Sequence, residues 1–121
     1  MEQQLARRLV QVGIRTINRH QLSQATRFGV EVVTMRNLDR FPSLKFEGPL
    51  FISLDLDVLD PAYAPGISHY DPGGMSVREV LDCIQGLNVA VAGAEFVAYN
   101  PTRDLLGQTP LFLHQLLQYM P

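Results

Sequence analysis

The stretch S-L-D-L-D-V-L-D-P, Ser53 to Pro61, follows Leu50, Phe51 and Ile52 and decides how this chain is read. Leu50, Phe51, Ile52 and Leu54 make a short apolar run of the kind that forms a buried parallel strand. The run ends on two carboxylates, Asp55 and Asp57. Side chains two apart on a strand face the same way, so the spacing predicts the two carboxylates side by side at the strand's C-terminal end. Like charges held together raise the proton affinity of one of them unless a cation sits between them. A D-x-D in that place is therefore suited to a divalent metal. The alternative reading is an acidic turn, with Asp60-Pro61 as turn chemistry.

Outward from this stretch, strands alternate with helices, which implies a parallel sheet covered on both faces. A helical turn is expected at Gln3 to Arg8 and a strand at Leu9 to Ile14. Asn18 with Gln21 three residues on predicts a capping box. The helix it opens carries Leu22, Ala25 and Phe28 on one side and stops at Gly29. Val30 to Met35 is β-branched and reads as the second strand. Pro42, Gly48 and Pro49 leave room for a turn or two of helix near Asn37 to Phe41. Leu50 to Leu54 is the third strand, and Asp57 to Met75 is a long Pro- and Gly-rich loop of a length usually tied to function or disorder.

Ser76-Val77-Arg78-Glu79 is a full S-x-x-E capping box, followed by Val77, Val80, Leu81, Ile84 and Leu87 at amphipathic spacing and by Gly86 at the exit. Val89 to Val97 alternates as a fourth strand. Thr109 as N-cap and Pro110 at the first helical position open a last helix, docked through Leu113, Leu116, Leu117 and Met120.

With 121 residues, 46% hydrophobic and 18% charged, the chain suits one packed domain. A net charge of −2 argues against nucleic acid or a membrane surface as partner. No apolar run approaches the ~18 residues that cross a bilayer, and the first residues do not read as a signal peptide. The single cysteine, Cys83, cannot form an intrachain disulfide, so a cytoplasmic location is expected. Its place beside a helix's apolar stripe reads as core filler rather than nucleophile.

The chain continues A-Y-A-P-G-I-S-H-Y-D-P-G-G-M-S-V-R-E, Ala62 to Glu79. Together with Ser53 to Pro61 this resembles the signature of the ureohydrolases, the dimanganese arginase and agmatinase family: S-x-D-x-D-x-x-D-P-x-x-A-P-G, then P-G-G-[LM]-[ST]-x-R-E. Ala6 to Thr16 (A-R-R-L-V-Q-V-G-I-R-T) is similar to the family strand ending in Q-x-G-I-R, and Gly93 to Asp104 (G-A-E-F-V-A-Y-N-P-T-R-D) to its last core strand. The S-H-Y-D-P-G-G wording at Ser68 to Gly74 is most similar to the plant-type branch.

The resemblance implies an α/β fold, a three-layer α/β/α arrangement with a mainly parallel sheet of about four strands, corresponding to the C-terminal half of the family's eight-stranded sheet. It implies that the first two strands are neighbours and the last two are neighbours, with a missing strand between the pairs. The pairs either close up or leave a gap that another chain fills, and the short link of residues 36–49 suits the smaller sheet. An exposed apolar edge invites pairing, so a homodimer or a complementary N-terminal half is the expected partner.

The resemblance also implies Mn2+ as cofactor, held in the family by six residues from G-G-D-H, D-A-H-x-D and S-x-D-x-D. Only the last pair has counterparts here, Asp55 and Asp57; the other motifs do not occur. The family carboxylate that binds the guanidinium falls on Ala98. Glu95, three residues earlier, is expected to face the other way. His69 is expected to line the mouth of the site as a loop contact, while His20 and His114 read as helix-surface residues. No catalytic residue is assigned. The chain is expected to bind metal weakly if at all and to be inactive alone, with a subunit of a split Mn-dependent hydrolase or a non-catalytic regulatory module as alternatives.

Overall fold

Among the described residues, four short strands form two separate parallel pairs. The computed structural model describes residues 6–67, 69–104 and 106–120, and the chain divides into two compact units, Met1–Phe41 and Pro42–Pro121. Most of the helical turn expected at Gln3 to Arg8 lies outside the described residues, and residues 6–8 are not helical.

In the first unit, β1 (Val10–Ile14) pairs in parallel with β2 (Glu31–Thr34), and Val12 lies opposite Val33. The register shifts between Val12 and Ile14, at Gly13, whose φ of 82° places it where a side chain is disfavoured. Between the strands runs α1 (Arg19–Arg27). Its predicted capping box forms in full: the Gln21 N–H donates to Asn18 Oδ1 at 2.8 Å, and the Asn18 N–H to Gln21 Oε1 at 2.9 Å. Ala25 is buried on this helix, but Leu22 is exposed, so the expected apolar side is only partly covered. A 3-10 segment kinked at Asn37 follows at Met35–Ser43, longer than the turn or two expected because two short helical pieces run together across the kink, with Pro42 in the second.

In the second unit, β3 (Leu50–Asp55) pairs in parallel with β4 (Val91–Val97). The helices are α2 (Val77–Gln85) and α3 (Gln108–Tyr119), which pack together. α2 starts as its sequence predicts: the Glu79 N–H donates to Ser76 Oγ at 3.1 Å, and the Ser76 N–H to Glu79 Oε2 at 2.8 Å. Its buried face is Val80, Leu81 and Ile84. Cys83 is half-buried beside them, and desolvation, with Asp82 and Glu79 nearby, pushes its thiol up to about 11. A thiol so placed stays neutral, as expected of packing rather than chemistry.

The end of the chain departs from expectation. Thr109 is not the N-cap of α3; Gly107, left-handed at φ 62°, precedes the helix, and the cap comes from Asp104. Its carboxylate accepts from the Gln108 and Thr109 N–H groups at 3.2 and 3.3 Å. Two oxygens on one upstream carboxylate satisfy two orphan donors, leaving Thr109 buried in the core side of the helix. The docking face is Thr109, Phe112 and Leu116, whereas Leu117 is 57% exposed.

The long loop is the main surprise of the core. Leu56, Leu59, Ala64, Ile67 and Met75 are all almost wholly buried, alongside Leu81, Phe112 and Leu116. Each leucine or isoleucine so buried stabilises the fold by about 1.5–3 kcal/mol. The loop is thus packed structure. Its ends meet at a parallel bridge between Leu59 and Met75, and Ile67 forms an antiparallel bridge with Tyr99 just past β4.

Candidate functional site

Asp55 closes β3, opposite Val97 of β4. Beyond it the backbone leaves the strand: Leu56–Val58 is a 3-10 turn, nucleated when Asp55 Oδ1 accepts the Asp57 N–H at 2.9 Å. The strand's alternation therefore stops at Asp55, and Asp57 is placed by the 3-10 turn instead. A short acidic side chain competed for the backbone N–H and bent the chain. Leu56 turns into the core as a result, and Asp57 leads into the loop.

Asp57 then meets the loop coming back. The His69 N–H donates to Asp57 Oδ1 at 3.1 Å, and His69 Nδ1 lies 2.8 Å from Oδ2. The hydrogen bond to Asp57, and then its negative charge, hold the imidazole pKa above 6.5. His69 is therefore a loop residue whose partner is the motif aspartate itself. Its spacing of twelve residues gave no sequence signal. Asp60 acts as turn chemistry, as one reading had it: it accepts from the N–H groups of Ala62, Gly73 and Gly74 at 3.0, 2.8 and 3.2 Å.

On β4, Glu95 lies opposite Ser53, whose hydroxyl donates to Glu95 Oε1 at 2.8 Å. Ser53 and Asp55 alternate on one exposed face of the pair, so Glu95 shares the face of Asp55. Ala98 lies past the end of the strand at φ 67°, the left-handed region. That turn carries Tyr99 to its bridge with Ile67 and lets the Asn100 N–H donate to Gly66 O at 2.8 Å. Tyr99 donates to Asp104 Oδ2 at 3.1 Å, and desolvation together with that carboxylate raises the phenol's pKa. His20 and His114 are exposed on α1 and α3, as expected.

These residues do not fit a bimetallic centre. Among the described residues, no group of three or more His, Cys, Asp or Glu side chains gathers where it could hold a metal ion. Nor, among them, is any helix long and apolar enough to cross a membrane.

The sequence profile of the Arginase family matches residues 1–120. Arginase 1, mitochondrial, of Arabidopsis thaliana is 45% identical over 98% of this chain and 37% of its own length. An agmatinase of Bacillus anthracis is 32% identical over 89% of this chain and 39% of its own. Among solved structures, an arginase from Medicago truncatula superposes with a TM-score of 0.84 at 38% identity, covering 98% of this chain and 40% of the other. The chain thus spans well under half the length of these relatives. Profile, relatives and fold agree with the S-x-D-x-D strand and its following loop: the chain belongs to the arginase family.

Proposed function

We propose that this chain does not hydrolyse a guanidino compound by itself. Asp55 and Asp57 are its share of a manganese centre whose remaining donors lie outside residues 1–121. The observation that carries this reading is the donor count: two aspartates of the motif, and no group of three or more His, Cys, Asp or Glu side chains placed to hold a metal ion among the described residues. Mn2+ is held by oxygen- and nitrogen-rich sites with near-octahedral demands, and a metal-bound nucleophile at neutral pH needs a fixed cavity. Ala98 adds no carboxylate for a guanidinium. Leaving that buried partner out costs several kcal/mol of binding in such sites.

A partner chain, either a second copy or a complementary N-terminal half, completes the fold. Two features support this. Each ladder has two strands, so every strand has an edge with no strand partner among the described residues. On the outer face of β3–β4, Phe51 is 66% exposed, lying over Gly93, and Val97 is 39% exposed. Light scattering on the eluting protein tests the partner; a clean monomer at high concentration removes the homodimer.

The alternative role is a non-catalytic module that regulates an intact ureohydrolase, and Ala98 in place of an acid favours it. Urea release from arginine and agmatine, measured with manganese and with or without a co-expressed N-terminal half of a plant arginase, separates the readings. Turnover only in the mixture supports the shared centre. Silence in both leaves the regulatory role, and turnover by the chain alone overturns the proposal.

A further inference from the structure

Of the α-helices among the described residues, α3 is the one without a charge. Residues 105–121 hold no Asp, Glu, Lys or Arg. The exposed positions of α1, in contrast, include Arg19 and Arg27, and those of α2 include Arg78 and Asp82. A surface helix normally sets charged residues opposite its apolar face. On α3 the side turned away from buried Phe112 and Leu116 carries Leu111, His114, Leu117 and Gln118, with Leu111 70% and Leu117 57% exposed. Separations of three, four and seven residues put these four on one stripe. Its two polar members satisfy each other, the Gln118 amide donating from Nε2 to His114 Nε2 at 3.2 Å. Covering such a pair costs less than covering polar groups that lack partners.

The charge around the stripe selects what covers it. Residues 42–121 carry nine Asp and Glu against three Lys and Arg, all of them ahead of residue 105. A partner of opposite charge is drawn to that acidic surface rather than to a neutral helix. Two copies have the reverse preference, because like charges oppose their contact through the acidic residues. In a two-fold contact the same patch faces itself, so a charged side chain near the axis repels its own counterpart. A charge-free stripe avoids that repulsion. We propose that α3 is a self-association surface whose occupant is α3 of a second copy, the two helices packed antiparallel about a two-fold axis near His114. Leu111 and Leu117 stand three residues to either side of His114, so Leu111 of each copy covers Leu117 of the other. A helix of 12 residues is about 18 Å long, so this contact is smaller than the roughly 1,600 Å² of a standard stable interface. The association is therefore weak and concentration-dependent. It uses neither the strand edges nor the Phe51 face, and it does not rest on the shared manganese centre.

Analytical ultracentrifugation of the purified chain, from micromolar to near-millimolar concentration, tests this. The parent should pass from monomer to dimer as concentration rises. Leu117→Lys should weaken the association by about tenfold or more, whereas Ser23→Lys, the same charge added at an exposed position of α1, should leave it unchanged. His114→Asp and His114→Lys should each associate more weakly than the parent, and an equal mixture of the two should associate about tenfold more tightly than either alone. These substitutions fall at exposed positions, and far-UV circular dichroism confirms that each variant is folded. The proposal is overturned if the parent stays monomeric throughout, if Leu117→Lys associates like the parent, if Ser23→Lys weakens association equally, or if the His114 mixture gains nothing. A dimer that persists in Leu117→Lys points to the strand edges instead. Self-association is read without substrate or metal, so its failure is distinguishable from failure of the shared-centre proposal, which is read in urea release by the mixture.

Discussion

Substituting Gly66 by alanine tests whether the long loop is packed structure. Gly66 is buried where the loop crosses the start of α3. A methyl group there would lie 2.7 Å from Asp104 Cβ, 2.8 Å from Thr109 Oγ1 and 3.0 Å from Asp104 Cγ. None of these atoms can yield easily: Asp104 caps α3 through two N–H groups and accepts from Tyr99, and Thr109 is 1% exposed. Overpacking of this kind costs about 1–3 kcal/mol. Displacing the Asp104 cap adds about 1 kcal/mol. The sum is a large share of the ~5–15 kcal/mol that holds a domain together. Gly73→Ala is the control, because that residue has nothing within 4 Å of the added carbon and only its φ of +83° to oppose it, a cost of about 1 kcal/mol. Urea denaturation of both variants gives the comparison. If Gly66→Ala is no more destabilising than Gly73→Ala, the loop is not packed against α3 as described, and the core assignment fails.

Other outcomes follow from single residues. Ala98→Gly relieves a left-handed alanine, a gain of about 1–2 kcal/mol in the fold, offset by about 0.4–1 kcal/mol of extra freedom in the unfolded chain; thermal melting should shift upward by a few degrees, and a downward shift would contradict the turn geometry. Cys83, with its thiol raised from 9.0 to about 11, carries far less thiolate at pH 8 than an unfolded thiol, so iodoacetamide should react about a hundredfold more slowly with the folded chain than in urea. A similar rate in both would place Cys83 at the surface. Because the pKa of His69 is raised above 6.5 by Asp57, its contribution to stability is complete below about 6.5 and fades as pH rises through the higher folded-state value. The imidazole proton resonances should titrate above 6.5 in the parent and fall back toward it in Asp57→Ala; equal midpoints would refute the pair.

Much of this fold was legible because local chemistry and tertiary packing agree. The apolar run at residues 50–54 did become β3, and the two capping boxes at Asn18 and Ser76 formed as their spacing requires. What was not legible depended on contacts distant in sequence. Thr109-Pro110 looks like a helix start, but the Asp104 carboxylate reached the free N–H groups first, and Thr109 was drawn into the core. The strand rule carried the extended backbone on to Asp57, but the hydrogen bond from the Asp57 N–H to the Asp55 carboxylate turned the chain into a 3-10 segment and ended the strand at Asp55. The His69–Asp57 pair needs the loop to close before it can exist. Of the candidate residues, Asp55 and Ala98 are read straight from the sequence, whereas Glu95 on the face of Asp55 came from the strand register. That face was not readable from the count between Glu95 and Ala98, because Ala98 lies beyond a left-handed turn.

The donor count is tested most directly by measuring manganese and urea together on one preparation of the purified chain. Manganese retained after exhaustive buffer exchange is determined alongside urea release from arginine and agmatine. The account predicts no pair of retained ions per chain and no urea above the protein-free blank. A chain that keeps two manganese ions and releases urea without any companion would contradict it.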